Sequence, residues 1–207
     1  MFLSTSLIIQ GYKNGMFPMS ESRHDPYIFW VSPESRGLIH LNSFKISKSL
    51  KKFINKRLFK VSINNNFKEV MYKCASPNKN RDNTWINDQI INCYSQLYKD
   101  GLAISVECYD EKELVGGLYG VHMGKLFFGE SMFSVKTNAS KVALVYLAAH
   151  LKQGGFNLID TQFLTNHLKQ FGGIEIKKSK YLKLLKENIN FNVPFPMKLN
   201  QNVLEYF

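Results

Sequence analysis

Two short stretches place acid and amide groups where chemistry is possible. In LFFGESMF (126–133) one carboxylate, Glu130, interrupts an apolar run. Burying an unpaired charge is expensive, so Glu130 needs a partner or a task. In LIDTQ (158–162), Asp160 and Gln162 stand two apart on a predicted strand and share a face. An ionised Asp160 can accept from the side-chain amide of Gln162 and fix its direction, leaving the amide oxygen to receive an N–H from an attacking amine. The plainer alternatives are an Asp that caps a strand end and a Glu paired with one of the many lysines. A third stretch, KSLKKFINKR (48–57), carries Lys48, Lys51, Lys52, Lys56 and Arg57 and no acid. So concentrated a patch suits a phosphate backbone, although a charged helix face can also be only solvated.

These groups must be held by the elements around them. Strand alternation predicts Leu126, Phe128, Glu130 and Met132 on one face and Phe127, Gly129, Ser131 and Phe133 on the other. Gly129 marks a bulge or a close approach. A helix follows, with Asn138 and Ser140 as capping residues, Leu144, Leu147 and Leu151 at helical spacing, and free first-turn N–H groups directed toward the surroundings of Glu130. Upstream, residues 4–15 read as a helix capped by Thr5 or Ser6 and ended by Gly15; Pro18, Pro26 and Pro33 then keep the chain extended or turned. A boundary near residue 35 separates a small N-terminal segment (1–35) from a main domain (36–207). That domain reads as a strand at 37–41, the basic helix capped by Ser47, a strand at 59–64, helices at 67–75 and 88–99, three hairpin-connected strands, the long helix, strand FNLIDTQ, and a final helix–strand–helix. The class is α+β.

Composition narrows the partners. With 27 Lys and Arg against 16 Asp and Glu, the net charge of +11 favours a polyanion, with a generally Lys-rich composition as the bland alternative. No apolar run approaches the roughly 20 residues of a membrane span. The opening MFLSTSLIIQ lacks a basic n-region and a small-residue cleavage site, which makes a cytoplasmic location the default and a membrane partner unexpected. Three cysteines without a C-x-x-C pair, and five scattered histidines, argue against a disulfide framework and a metal site.

Several motifs in collinear order carry a resemblance. GESMFS followed by NASK, LVGGLYGV before it and LIDTQ after it, together with NGMFP (14–18), WVSPESRG (30–37), FKISKSLKK (44–52), TWI (84–86) and Gly172, resemble the leucyl/phenylalanyl-tRNA–protein transferases. The resemblance implies a GNAT-like acyltransferase domain, an antiparallel or mixed sheet flanked by helices, behind an N-terminal segment shorter than that of longer members. It implies transfer of Leu, Phe or Met from aminoacyl-tRNA to an N-terminal Arg or Lys of acceptor proteins, marking them for N-end rule degradation, by a cytoplasmic monomer without a cofactor. Asp160 and Gln162 would then be catalytic, and Glu130 would receive the acceptor. Leu118, Phe127, Met132 and Leu147 would line the donor side-chain pocket, and Trp85 would stack on the terminal adenine. Lys48, Lys52 and Lys56 fall on basic tRNA-binding positions, with Lys51 and Arg57 beside them. Departures are Met19 where the family has Trp, Asn78 where it has a basic residue, and Leu102 and Ile104 where it has histidines. A CoA-dependent N-acetyltransferase would need a Q/R-x-x-G-x-G/A run, but VKTNASKV (135–142) enters the long helix without glycine. A non-catalytic RNA-binding module would need the basic helix but not the joint placement of Glu130, Asp160 and Gln162.

Overall fold

The long strands 103–134 and the helix after them set the architecture. The computed structural model describes residues 2–77 and 83–207; Asn78, and with it most of the predicted loop 76–83, lies outside the described residues. The chain runs α1 (Thr5–Lys13), β1 (Phe17–Met19), β2 (Phe29–Val31), β3 (Ser35–His40), α2 (Lys48–Asn55), β4 (Lys60–Ile63), α3 (Phe67–Ala75) and α4 (Asp88–Lys99). It continues through β5 (Ala103–Asp110), β6 (Glu113–Met123), β7 (Leu126–Ser134), α5 (Ala139–Gln153), β8 (Leu158–Gln162), α6 (Asn166–Lys169), β9 (Ile174–Lys177) and α7 (Lys178–Asn188). β1 and β2 form a two-stranded ribbon, and the other seven strands form one sheet in the order β4-β5-β6-β7-β8-β3-β9. Among the described residues only the β7–β8 pairing is parallel, because α5 carries the chain across between them. The result is a mixed sheet flanked by helices.

Each face of the sheet carries its own apolar layer. Under α5 lie Val106, Leu118, Phe127, Leu144 and Leu147; on the opposite face Tyr12, Phe67, Tyr94, Tyr119, Phe128 and Tyr181 pack beneath α1, α3, α4 and α7. Burying both faces explains why β5 to β7 read as nearly continuous apolar runs.

Local starts follow the sequence with small shifts. Ser4, one residue before the predicted caps, is extended and its Oγ accepts from the Leu7 N–H. Ser47 caps α2 as predicted, turning Leu50 and Ile54 into the core while Lys48, Lys52, Lys56 and Arg57 stay exposed and Lys51 is half-buried. At α5 the predicted cap is corrected. Asn138 sits in the left-handed region at φ 67° and makes no capping bond. Ser134 Oγ, at the end of β7, instead accepts from the Ser140 N–H at 3.2 Å. That amide is therefore spent inside the fold.

A bulge overturns the predicted strand faces. Tyr119 pairs with Ser131 and Gly120 with Gly129, so Glu130 is the extra residue on β7. Alternation restarts beyond it. Phe128 and Phe133 belong to the α1–α4 layer, whereas Met132 packs into the α5 layer with Phe127, so Glu130 and Met132 do not share a face. Gly120 admits this kink: a Cβ there would lie 2.2 Å from the Phe128 carbonyl oxygen and 2.6 Å from the Phe127 ring. Gly120→Ala should cost about 1–3 kcal/mol, as overpacking against backbone does, and a lowered urea midpoint at unchanged slope would report it.

Candidate active site

β7 and β8 pair over only three residues, Leu126 to Phe128 against Leu158 to Asp160. The bulge then turns β7 away, and the two strands part. Glu130, Asp160 and Gln162 all lie where they separate. The sequence placed these three residues in one site, and the structure brings them together, but with different contacts from those predicted.

Asp160 does not touch the side-chain amide of Gln162. Its Oδ1 accepts from Arg36 Nε at 2.9 Å and from the Gln162 backbone N–H at 2.9 Å. Its Oδ2 accepts from Arg36 Nη2 at 2.8 Å and from the Tyr181 hydroxyl at 2.6 Å. Four donors fill the sites of one carboxylate. Arg36 and Asp160 are each 1% exposed. The guanidinium lies between the rings of Phe17 and Tyr181, 4.7 and 4.6 Å from their centroids, and Nη1 donates to the Gly15 carbonyl. Burial works against the Arg36 charge, but Asp160 outweighs it and holds the guanidinium above its ordinary pKa.

Asp160 orients Gln162 through the main chain. Gln162 has φ 61°, and the Phe163 N–H donates back to the Thr161 carbonyl, a tight three-residue turn that a non-glycine residue adopts only under constraint. The bond from the Gln162 N–H to Asp160 supplies that constraint. On β3, Gly37 leaves room for the turn, since a Cβ there would meet Leu164 N and Thr161 Oγ1 at 2.7 Å.

The Gln162 side chain reaches Glu130 instead, its Nε2 donating to Oε1 at 2.8 Å. Tyr12 donates to the same oxygen at 2.6 Å and Tyr94 to Oε2 at 3.0 Å. Among the described residues no lysine pairs with Glu130; its partners are two phenols and an amide. Burial raises its pKa to about 7, against hydrogen bonds from Tyr12, Tyr94 and Gln162 that lower it. By contrast, the buried Glu107 accepts from the Asn65 and Asn66 N–H groups and Ser105 Oγ, which ties down the entry to α3.

The remaining predicted residues separate by layer. Trp85 and Met19 are half-buried in the α1–α4 layer, on the side of Glu130's phenols. The Ser20 N–H and hydroxyl both donate to the Trp85 carbonyl, which ties the end of β1 to the Trp85 segment. Leu118, Phe127 and Leu147 are at most 3% exposed in the α5 layer, with Met132 against them, so the predicted donor-pocket residues gather together but on the far face from those phenols. Among the described residues no ion pair involves Lys48, Lys51, Lys52, Lys56 or Arg57, and no three His, Cys, Asp or Glu side chains cluster as metal ligands. No helix of the described residues is long and apolar enough to cross a membrane.

Sequence reading missed Arg36, Tyr12, Tyr94 and Tyr181. Arg36 carried a signal: it lies in WVSPESRG, one residue before a glycine that a side chain would obstruct. The tyrosines carried none, because a phenol in an apolar helix face looks like core until its hydroxyl has a partner.

Family models described as leucyl/phenylalanyl-tRNA protein transferase and as the N-terminal domain of that transferase match residues 38–186 and 1–34. The leucyl/phenylalanyl-tRNA–protein transferase of Maricaulis maris is 48% identical over 91% of this chain and 87% of its own. Those of Paramagnetospirillum magneticum and Rhodospirillum rubrum are 48% and 46% identical over 86% of this chain and 86% and 84% of theirs. Among solved structures, L-PGS from Bacillus licheniformis superposes with a TM-score of 0.49 at 12% identity over 77% of this chain and 66% of that one.

Removing either member of the buried ion pair strands the other's charge. Asp160→Asn and Arg36→Met should each cost about 3–5 kcal/mol, and the double mutant should lose clearly less than their sum. Urea unfolding of all four proteins measures the coupling. Glu130 gives a pH signature. With its pKa lifted from 4.5 to about 7, the folded chain holds a proton that the unfolded chain releases, so stability falls as pH rises across that window. Glu130→Gln should therefore gain in Tm relative to the parent on going from about pH 5 to about pH 8.

Proposed function

The chain belongs to the leucyl/phenylalanyl-tRNA–protein transferase family, and from that premise we propose how its site works. The enzyme moves leucine or phenylalanine from aminoacyl-tRNA onto the N-terminus of a protein. The observation that carries our reading of the site is the convergence of Glu130, Asp160 and Gln162 where β7 and β8 part. Parallel strands that open at their C-terminal ends, with a helix crossing between them, support assignment to the GNAT-like acyltransferase architecture. The N-terminal segment 1–35 acts as a small subdomain that supplies Tyr12, Phe17 and the Gly15 carbonyl to the main domain.

The reaction is aminolysis of an ester already activated by its ribose leaving group, so alignment supplies much of the catalysis. Gln162 presents its amide to the attacking amine: Nε2 is committed to Glu130, which leaves Oε1 to accept an N–H. Asp160, saturated by Arg36, Tyr181 and the Gln162 main chain, holds that geometry without itself meeting the substrate. Glu130 receives the acceptor's N-terminal Arg or Lys residue. The donor side chain, Leu, Phe or Met, enters between the parted strands toward Phe127, Met132, Leu118 and Leu147, while Trp85 and Met19 pack on the terminal adenine. The exposed cations of α2 bind the tRNA backbone. The enzyme works in the cytoplasm as a monomer and commits its acceptors to N-end rule degradation.

A CoA-dependent acetyltransferase is disfavoured by the entry to α5, where the Ser140 amide is taken by Ser134 and no glycine cradle exists. Labelled Phe-tRNA, Leu-tRNA and acetyl-CoA, each offered with an Arg-N-terminal peptide, decide between donors. Label should pass from the tRNAs and not from acetyl-CoA; acetylation alone would reverse the assignment. Replacing Lys48, Lys52 and Lys56 together by Ala should weaken aminoacyl-tRNA binding and shallow the slope of log Kd against log salt by about 2–3, one counterion per lost phosphate contact. An unchanged slope would leave α2 a solubilising face.

A further inference from the structure

The oxygens around Glu130 do not match in proton number. The Tyr12 and Tyr94 hydroxyls lie 2.6 Å apart, Tyr12 lies 2.6 Å from Oε1, and Tyr94 lies 3.0 Å from Oε2. The three contacts close a ring through the carboxyl group. Each needs one proton, and the two phenols supply two. With Glu130 ionised the ring is one proton short; with Glu130 protonated every contact is filled. Both phenols are fully buried and Glu130 is 8% exposed, so the missing proton is not readily replaced by solvent.

Among the described residues the other charged and titratable groups facing this ring are few. Asp160 on β8 raises the cost of charge on Glu130, and the Arg36 guanidinium on β3 senses Glu130. Tyr119 on β6 acts on Tyr94, and Tyr181 on α7 is committed to Asp160. Asp160 itself has all its acceptor sites occupied by Arg36, Tyr181 and the Gln162 N–H, so it offers no open lone pair to a substrate.

We propose that Glu130, backed by Tyr12 and Tyr94 as positioning residues, takes the proton that the acceptor's α-ammonium must lose before it attacks the ester. This rests on the aminoacyl-transfer reading above. The α-ammonium gives one proton to the Glu130 carboxylate, which closes the ring. The neutral amine then adds to the ester carbonyl; the C–N bond forms, the C–O bond to the ribose breaks, and the second amine proton leaves with the ribose oxygen as its hydroxyl. Glu130 releases its proton to solvent as the product departs. Proton transfer is well matched, since a carboxyl group at about 7 lies within about one pH unit of an α-amine at roughly 7.7–8.

The test is single-turnover transfer from labelled Phe-tRNA to an Arg-N-terminal peptide, with both saturating, followed from about pH 5.5 to about pH 9. The parent rate should rise with a midpoint near the Glu130 value. Glu130→Gln should be slower by at least about tenfold below neutral pH, with its midpoint moved to that of the free amine. Tyr12→Phe and Tyr94→Phe each open the ring, and each should move the midpoint away from the parent's; they keep the test available if Glu130→Gln fails to fold. A midpoint shared by the parent and all folded variants, or a Glu130→Gln defect confined to the KM for peptide, overturns the proposal while leaving the transfer reaction standing. Absence of transfer by the parent at every pH overturns the transfer reading, and this proposal with it.

Discussion

Everything at the site hangs on the buried contact between Arg36 and Asp160. Two opposite charges, each almost wholly removed from water, are tolerable only as a pair with every remaining hydrogen-bonding position filled. The fold meets that condition by bringing distant segments together. The Gly15 carbonyl and the Phe17 ring come from the N-terminal segment, the guanidinium from β3, the carboxylate from β8, and the phenol of Tyr181 from α7. Three of the dispersed sequence motifs, NGMFP, WVSPESRG and LIDTQ, thus meet at one ion pair. Such a pair is weak evidence for net stability, because a well-packed apolar replacement can do as well. What it provides is direction. It holds Gln162 in a conformation that the residue would not adopt by itself.

The second constraint is the bulge. An uninterrupted β7 would have kept its pairing with β8 and sealed the sheet. One extra residue, accommodated by Gly120, turns β7 aside and puts the Glu130 carboxylate at the opening. One face of the sheet carries the phenols and the amide; the other carries Leu118, Phe127, Met132 and Leu147 in the layer under α5.

Glu107 and Glu130 are two buried acids told apart by the groups that answer them. Both are buried in the central strands, and burial raises the pKa of both. Glu107 is answered by two backbone N–H groups and a serine, donors that stabilise its charge and serve the start of a helix. Glu130 is answered mainly by hydroxyl groups that can return a proton as well as donate one. The difference lies in the partners and not in the burial.

The sequence by itself determined the class of fold, most of its elements and the family. Those depend on local signals: strand and helix periodicity, Ser47 before its helix, and motifs whose order survives along the chain. It also placed Glu130, Asp160 and Gln162 in one site and set the basic face of α2 apart from the core. It misassigned the faces beyond Glu130, because alternation carries no memory of an inserted residue and only the pairing partner reveals the bulge. It joined Asp160 to the wrong atom of Gln162, because two residues on one strand can meet through side chain or main chain. The choice fell to Arg36, 124 residues away in sequence. Tertiary structure alone decided that Tyr12, Tyr94 and Tyr181 face carboxylates and not merely neighbouring rings. A hydroxyl's partner is fixed by the crossing of distant elements, and neither composition nor spacing encodes where those elements cross.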